Sequence, residues 1–350
     1  MEGLDICTFD HTIRQSQDKV NGNNMASSSL SEFQSVPIID VAPLFDGSRD
    51  GARSVAAEIR QASIEVGFFY VRGHNVSQDL MQDMLHAAKA FFVRPEERKR
   101  QIQVNTAHRG YVPFAQTTLG RAYKPDFKES LNFAFPFEAG DPYLDDNKPL
   151  IGLNQWPSDD PELQRTAEQY YAGVFELGQK LLEGFALALD IDRNFFRELY
   201  RHPLVRARLV HYPPQAEGQA DGQFGAAPHT DWGCITVLWQ DDVGGLQVRN
   251  RSGQWIDAPP IDGTFVINIG DMLARWSNDL FVSTPHRVVN ASGRERYSIP
   301  VFYDPDFETV VECLPNCSGP GNPPKYSRTI AGEYIAAQYD KAYAYRQKAG

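Results

Sequence analysis

The sequence has few cysteines and no long apolar run, and each absence excludes a class of protein. Only 4 cysteines occur in 350 residues, which excludes a secreted scaffold held together by disulfides and is typical of a reducing compartment. Cys313 and Cys317 share a loop rich in proline and glycine that offers no further metal ligands, so we expect free thiols there and no zinc site. Because no stretch of about 18 apolar residues exists, we also expect no membrane-spanning segment.

Positive charge is also scarce relative to negative charge. The net charge is −11 and the isoelectric point is near 5.2, which argues against nucleic acid or an anionic membrane as the main partner. Hydrophobic residues make up 42% of the chain, enough to bury a sizeable core.

Residues 1–35 are polar and lack apolar periodicity, so we predict a disordered tail. The segment has neither the basic start nor the continuous apolar stretch of a signal peptide. Its acidic residues Glu2, Asp5 and Asp10 argue against an organellar transit peptide. Met25 could be a second translation start, a hypothesis that the mass of the native protein would test.

The pattern after residue 35 predicts two regions. In residues 36–150 we expect strands at 36–40 and 67–71, helices at 52–66 and 77–92, and then loop with short strands. Residues 151–350 begin with a helix at 161–189. Its apolar side chains recur at steps of 4, 3, 4 and 4, as one face of a helix requires: Tyr170, Val174, Leu177, Leu181 and Phe185.

The rest of the second region predicts a β barrel. A first barrel strand is expected at 205–212, and the short strands that follow are separated by turns at intervals typical of a jelly roll. A closing helix is predicted at 330–346.

Three residues in this second region have the chemistry of a metal site. His229 and Asp231 are two positions apart, so in an extended chain both side chains project to the same side. His286 follows Asp231 by 55 residues, enough chain to return across a barrel. Two histidines and one carboxylate form the facial triad of non-haem Fe(II) oxygenases. A His-x-Asp pair alone is a weak signal, and only the ordered set favours a metal site.

Arg296 and Ser298 repeat the two-residue spacing. A guanidinium binds a carboxylate through two parallel hydrogen bonds, and a neighbouring hydroxyl can add a third. Beside a metal, such a pair suits one end of a dicarboxylate.

Taken together, these positions resemble the isopenicillin N synthase-like branch of the 2-oxoglutarate/Fe(II)-dependent oxygenases. The resemblance extends over roughly residues 36 to 345. It implies a mainly β fold with flanking helices, in which a double-stranded β-helix (jelly-roll) core follows an N-terminal α/β region. It also implies Fe(II), 2-oxoglutarate and O2 as cofactors, with His229, Asp231 and His286 on iron and catalytic.

The resemblance assigns further roles. The far carboxylate of 2-oxoglutarate would meet Arg296 and Ser298, supported by Tyr212. The resemblance also points to residues 109–111 and 126–130, in a region that overlies the metal and supplies substrate contacts in related oxygenases. Arg109 and Tyr111 are the candidates for these contacts.

The implied activity is the oxidation of a small-molecule metabolite by hydroxylation, desaturation, oxidative cyclisation or demethylation. We expect a cytoplasmic enzyme of secondary metabolism, monomeric or weakly self-associating, that binds neither nucleic acid nor membrane. An oxidase that keeps the Arg-x-Ser pair but uses no 2-oxoglutarate is the main alternative. A jelly-roll binding protein with a vestigial metal site and a zinc hydrolase are more distant ones.

Overall fold

The structure is a computed structural model, and it describes residues 32–117, 123–215, 223–343 and 345–346. The predicted tail at 1–35 therefore lies almost wholly outside the described residues, as do Cys7 and Met25. Within the described part, no helix is both long enough and apolar enough to cross a membrane. Cys234, Cys313 and Cys317 are free thiols, as predicted for the last two.

Fourteen strands are present in the described residues. They are β1 Ile38–Asp40, β2 Phe68–Arg72, β3 Gly110–Val112, β4 Glu129–Ala134, β5 Arg206–Tyr212, β6 Ala226–His229, β7 Ile235–Gln240, β8 Leu246–Arg249, β9 Trp255–Asp257, β10 Phe265–Ile269, β11 His286–Val288, β12 Arg296–Tyr303, β13 Val310–Val311 and β14 Thr329–Ile330.

The strands form a large sheet, a small sheet and a short ribbon. The large sheet has eight strands in the order β1-β2-β10-β7-β12-β5-β4-β3, and the small sheet has four in the order β6-β11-β8-β9. All pairs in these two sheets are antiparallel except β1 with β2. Strands from the N-terminal region thus extend both edges of the large sheet, β1 and β2 on one side and β3 and β4 on the other.

Six α-helices in the described ranges accompany the sheets: α1 Arg49–Glu65, α2 Gln78–Phe92, α3 Glu96–Lys99, α4 Pro161–Ala188, α5 Asp271–Trp276 and α6 Ala331–Ala342. The mainly β architecture with flanking helices and a jelly-roll core agrees with the prediction from sequence.

Helix α4 shows why the sequence folds this way locally. The side chain of Asp160 accepts a hydrogen bond from the Leu163 amide (3.0 Å), and Pro161 occupies the first turn, where its missing N–H costs nothing. All five residues of the predicted apolar stripe are fully buried. The helix packs against α1 and α2 and thus holds the N-terminal helices together behind the large sheet.

The closing helix is shorter than predicted. We expected it to span 330–346, but α6 ends at Ala342 because Tyr343 adopts extended backbone angles (φ −112°, ψ 118°). Helix α5 was not predicted from the sequence. Its first amide, at Asp271, donates to the carbonyl of Asp231 (2.8 Å), so α5 supports the chain segment that carries a predicted metal ligand.

Candidate active site

Strand pairing brings the two distant histidines together. His229 ends β6, His286 begins β11, and the two residues lie directly opposite each other in the antiparallel pair. Their ring centroids are 4.3 Å apart. Asp231 lies just beyond the end of β6 and not within it, so its position depends on the turn that follows the strand and not on strand geometry alone.

The three side chains converge on one point. Asp231 Oδ1 is 3.8 Å from His229 Nε2 and 3.9 Å from His286 Nε2, and one donor atom from each residue lies within 4.8 Å of the others. Each ligand atom lies about 2 Å from a bound transition-metal ion, so two ligand atoms of one ion are at most about 4 Å apart. The donor atoms therefore fit a single transition-metal ion after a small closing movement.

Hydrogen bonds orient both imidazoles. His229 Nδ1 lies 2.7 Å from the Ala227 carbonyl, and His286 Nδ1 lies 3.2 Å from the Thr284 carbonyl. Since a carbonyl oxygen only accepts, each Nδ1 carries the proton and each Nε2 presents its lone pair to the site. Burial, with the adjacent His286, lowers the pKa of His229 to about 3, so this imidazole is neutral at pH 7.

Asp231 is held in the ionised form by its surroundings. Thr236 Oγ1 (2.5 Å) and Asn268 Nδ2 (2.8 Å) both donate to Oδ2, which leaves Oδ1 facing the two imidazoles. Burial acts to raise the pKa of Asp231, but His286, His229 and these two donors outweigh it and hold that pKa below its usual value. Asn268 was not predicted from the sequence, although a single polar residue in the apolar strand β10 was a visible signal.

The predicted cosubstrate residues lie on neighbouring strands of the large sheet. Arg296 in β12 is directly opposite Tyr212 in β5, and its guanidinium lies over the Tyr212 ring at 4.7 Å. The Ser298 hydroxyl is 3.5 Å from the Tyr212 hydroxyl. All three residues are buried and line the same cavity as the triad.

Arg296 has a buried nitrogen without a protein partner. Its Nε donates to the Gly244 carbonyl (2.6 Å) and its Nη2 donates to Gln240 Oε1 (3.2 Å). Its Nη1 has no hydrogen-bond acceptor among the described residues, although Arg296 is fully buried. A buried, charged donor without a partner is costly, so this position fits the carboxylate of a bound ligand.

Arg109 and Tyr111, the predicted substrate contacts, do not line this cavity. The Arg109 guanidinium is buried and donates to the carbonyls of Ala107 (2.8 Å) and Leu150 (3.0 Å). The Tyr111 hydroxyl donates to Glu129 Oε2 (2.5 Å), and its ring packs against helix α2. Arg109 is thus bound by loop carbonyls and Tyr111 by a strand carboxylate and α2, so the substrate role stays a prediction from the resemblance.

The remaining cavity wall combines aromatic and basic side chains, of which only Lys128 lies in a segment, 126–130, to which the resemblance points. The aromatic residues come from β2, β12, α6 and the segments beside the metal ligands and after α6: Phe68, Trp232, Phe302, Tyr339 and Tyr343. The basic ones are Lys128, Arg206 and Arg208. The sequence did carry a signal for the two arginines. Side chains alternate between the two faces of a strand, so Arg206 and Arg208 lie on the same face of β5 as Tyr212.

Comparison with known families agrees with this geometry. Residues 36–159 match a family described as the N-terminal domain of non-haem dioxygenases in morphine synthesis, and residues 202–305 match the 2OG-Fe(II) oxygenase superfamily.

Individual relatives are similar over most of the chain. A 2-oxoglutarate-Fe(II) type oxidoreductase of Emericella nidulans is 37% identical over 314 residues, which is 88% of this chain and 90% of the relative. A homoarginine-6-hydroxylase of Oryza sativa subsp. japonica is 36% identical over 87% of this chain and 96% of its own length. The crystal structure of a full-length Neurospora crassa protein in complex with alpha-KG and 5-formyluracil is similar with a TM-score of 0.76 and 30% identity, covering 87% of this chain and 95% of that one.

The protein is therefore an oxidoreductase that uses Fe(II), 2-oxoglutarate and O2. The convergent triad and the unpartnered arginine nitrogen are what such cofactors require. The chain belongs to the 2OG-Fe(II) oxygenase superfamily.

Proposed function

We propose that His229, Asp231 and His286 bind the iron, and that Arg296, Ser298 and Tyr212 bind the far carboxylate of 2-oxoglutarate. The observation that carries this assignment is the convergence of three donor atoms in a cavity that also contains the unpartnered Nη1 of Arg296. When bound, iron and 2-oxoglutarate supply the oxygen activation that oxidises a substrate C–H bond, with release of succinate and CO2.

The protein side chains would perform binding, orientation and exclusion of water. Arg296 would neutralise a carboxylate that is costly to bury unpaired. Thr236 and Asn268 would keep one oxygen of Asp231 occupied, so that the other faces the metal. The ring of Phe68 meets the His286 imidazole edge-on at 5.1 Å and would limit its rotation. Such outer contacts tune metal affinity in many proteins.

We further propose that the substrate is a small metabolite that occupies the aromatic and basic part of the cavity. Assignment to the isopenicillin N synthase-like branch, a role in secondary metabolism, a cytoplasmic location and a monomeric or weakly associating state stay predictions from the sequence. Binding of neither nucleic acid nor membrane is likewise a prediction, based on the net charge of −11.

The direct test compares His229→Ala with wild type and with His86→Ala, which changes an exposed histidine on α2. We expect His229→Ala to lose Fe(II) binding and succinate formation, whereas His86→Ala keeps both. The loss should exceed the roughly 10- to 100-fold effect of removing an outer partner of a metal ligand. Full iron content and activity in His229→Ala would contradict the assignment.

Succinate also separates the oxygenase from an oxidase that draws all electrons from its substrate. The oxygenase forms one succinate for each substrate oxidised, and the oxidase forms none. The unpartnered nitrogen of Arg296 does not separate the two, because a carboxylate of the oxidase's own substrate would satisfy it equally.

A further inference from the structure

Three basic side chains line the cavity, and two of them, Arg206 and Arg208, are remote from Arg296. Arg206 and Arg208 are in β5, and Lys128 immediately precedes β4. In the strand pair β5–β12, Arg296 is opposite Tyr212 and Phe302 is opposite Arg206. At a strand rise of about 3.3 Å per residue, Arg208 is roughly 13 Å along β5 from Tyr212. Arg206 and Arg208 are thus separate from the proposed 2-oxoglutarate position. Lys128 is not, because the pairing of Glu129 with His211 puts it beside Tyr212.

Two of these cations already have carboxylate partners. Lys128 Nζ is 2.8 Å from Asp126 Oδ2, and Arg206 Nη2 pairs with Asp304 Oδ2. Both carboxylates are fully buried. Arg206 is itself only 3% exposed, yet its Nε and Nη1 have no acceptor among the described residues. Its hydrogen-bonding capacity towards the cavity is therefore unfilled.

Arg208 differs because no carboxylate among the described residues forms an ion pair with it. Its Nη2 donates to the Tyr339 hydroxyl (2.7 Å), and its buried Nε has no acceptor in the described part of the chain. Three cations and two carboxylates leave one positive charge, which resides at Arg208. Asp231, the acidic residue that lines the cavity, is committed to the proposed iron site.

The pKa of a neighbouring histidine, His108, is also affected by the positive charge of these arginines. His108 is 1% exposed, and its ring meets those of Tyr339 (4.6 Å) and Tyr343 (4.7 Å). Burial, followed by the positive charges of Arg208, Arg206, Arg109 and Arg346, holds its pKa well below the usual value. His108 is therefore neutral and adds no charge to the group.

Flat rings surround the Arg208 guanidinium. Phe302 lies 4.7 Å from it, Tyr343 5.6 Å and Tyr339 5.7 Å, measured to the ring centroids. Trp232, next to the metal ligand Asp231, meets Tyr339 at 5.5 Å. Aromatic walls of this kind favour a flat, unsaturated ligand body over a bulky aliphatic one.

We propose that the oxidised substrate is a monoanionic organic acid with a flat, unsaturated body, and that its carboxylate binds to Arg208 with support from Arg206. The guanidinium matches a carboxylate in shape and charge. A single excess positive charge matches a carboxylate better than a phosphate dianion. With the acid group held there, the ring extends along the aromatic wall towards the triad. This inference rests on the proposed function of the site.

Benzoate and benzamide test it, because they share size and shape but differ in charge. Their affinities are measured by calorimetry on the full chain loaded with Mn(II) and saturating 2-oxoglutarate, so that Arg296 is already occupied. We expect benzoate to bind at least about 10-fold more tightly than benzamide, as expected for a charge-assisted contact. Equal affinities, tighter binding of benzamide or no binding of either probe would overturn the proposal, as would tighter binding of phenyl phosphate.

Variants assign the preference to the proposed residue. Arg208→Gln should abolish the preference for benzoate, and Arg208→Lys should retain part of it. Arg201→Gln, which alters an exposed arginine paired with Glu198, should behave as wild type. Arg206→Gln is less suitable, since it leaves the buried Asp304 without its partner. A preference that survives in Arg208→Gln would refute the assignment.

The same titrations separate this inference from the proposed function. Binding of Mn(II) and 2-oxoglutarate by the wild type, without a preference for benzoate, would refute the acid site alone. Failure of the wild type to bind Mn(II) or 2-oxoglutarate would instead refute the roles of the triad and Arg296. Arg208→Gln should leave the dissociation constant for 2-oxoglutarate unchanged.

Discussion

Arg296 and Arg208 lie on adjacent strands and face one cavity, but their surroundings differ. Arg296 is fully buried, and neighbouring loops and strands fix two of its nitrogens through Gly244 and Gln240. Arg208 is half-buried and donates to Tyr339 of the C-terminal helix. Arg296 thus has two nitrogens fixed by protein carbonyls at the proposed cosubstrate end, whereas Arg208 at the other end depends on a partner from a remote helix.

The largest expected effect that separates the two arginines comes from Arg296→Ala. Loss of the guanidinium leaves a buried carboxylate unpaired, which costs about 3–5 kcal/mol, so 2-oxoglutarate affinity should fall on the order of 100-fold or more. Calorimetry with Mn(II)-loaded protein measures the affinity for 2-oxoglutarate. The affinity for Mn(II) should not change. Arg296→Lys keeps the positive charge but not the two parallel N–H donors of the guanidinium. Its affinity for 2-oxoglutarate should lie between those of the wild type and Arg296→Ala. An unchanged 2-oxoglutarate affinity would remove Arg296 from this role.

A smaller loss of affinity is expected from Asn268→Ala, which affects the proposed metal site. This site lies between the Arg296 end and the Arg208 end of the cavity. Removing one donor to Asp231 Oδ2 should weaken metal binding by roughly 10- to 100-fold, as for other outer partners of metal ligands. Metal competition assays give the affinity. Thr236→Val removes the second donor to the same oxygen and should have a similar effect. The preference for benzoate over benzamide should persist at saturating metal, and its loss would show that the two ends are not independent.

The smallest effect is expected from Tyr212→Phe. The hydroxyl is 3.5 Å from Ser298, a long contact, while the ring beneath Arg296 is retained. Loss of one such hydrogen bond costs about 0.5–1.5 kcal/mol, so the KM for 2-oxoglutarate should rise only a few-fold. Tyr212→Ala also removes the ring and should have a larger effect. Equal effects of the two substitutions would assign the whole contribution to the hydroxyl.

Much of the fold could be predicted because its signals are local. The stripe on α4 and the barrel strand expected at 205–212 each follow from short-range geometry. The end of α6 was misplaced because Tyr343 leaves the helix to join a buried aromatic group with His108 and Tyr339, and that group forms only in the folded chain.

The two ends of the cavity also differ in how far local sequence signals predict them. His229, Asp231, His286, Arg296 and Ser298 form short motifs whose spacing suggests their chemistry, and the structure brings all five together in one cavity. Arg109 was selected for substrate contact and Arg208 was not, although the structure places Arg208 in the cavity and Arg109 outside it. Of the two segments to which the resemblance points, 126–130 contributes Lys128 and Ser130 to the cavity and 109–111 contributes none. The rest of this wall comes from strands, a helix and loops distant in the chain.

The sequence by itself determined the class of chemistry, because an ordered set of two histidines, one aspartate and an Arg-x-Ser pair supplies the ligands of one kind of site, although the turn after β6 was needed to place Asp231. It also determined the helices that support the barrel, because apolar residues at helical intervals must be buried together. Only the tertiary structure decided which cations face the substrate and which are satisfied by buried carboxylates. That choice depends on cross-strand register and on where α6 closes the cavity, and both are set by contacts between residues far apart in sequence.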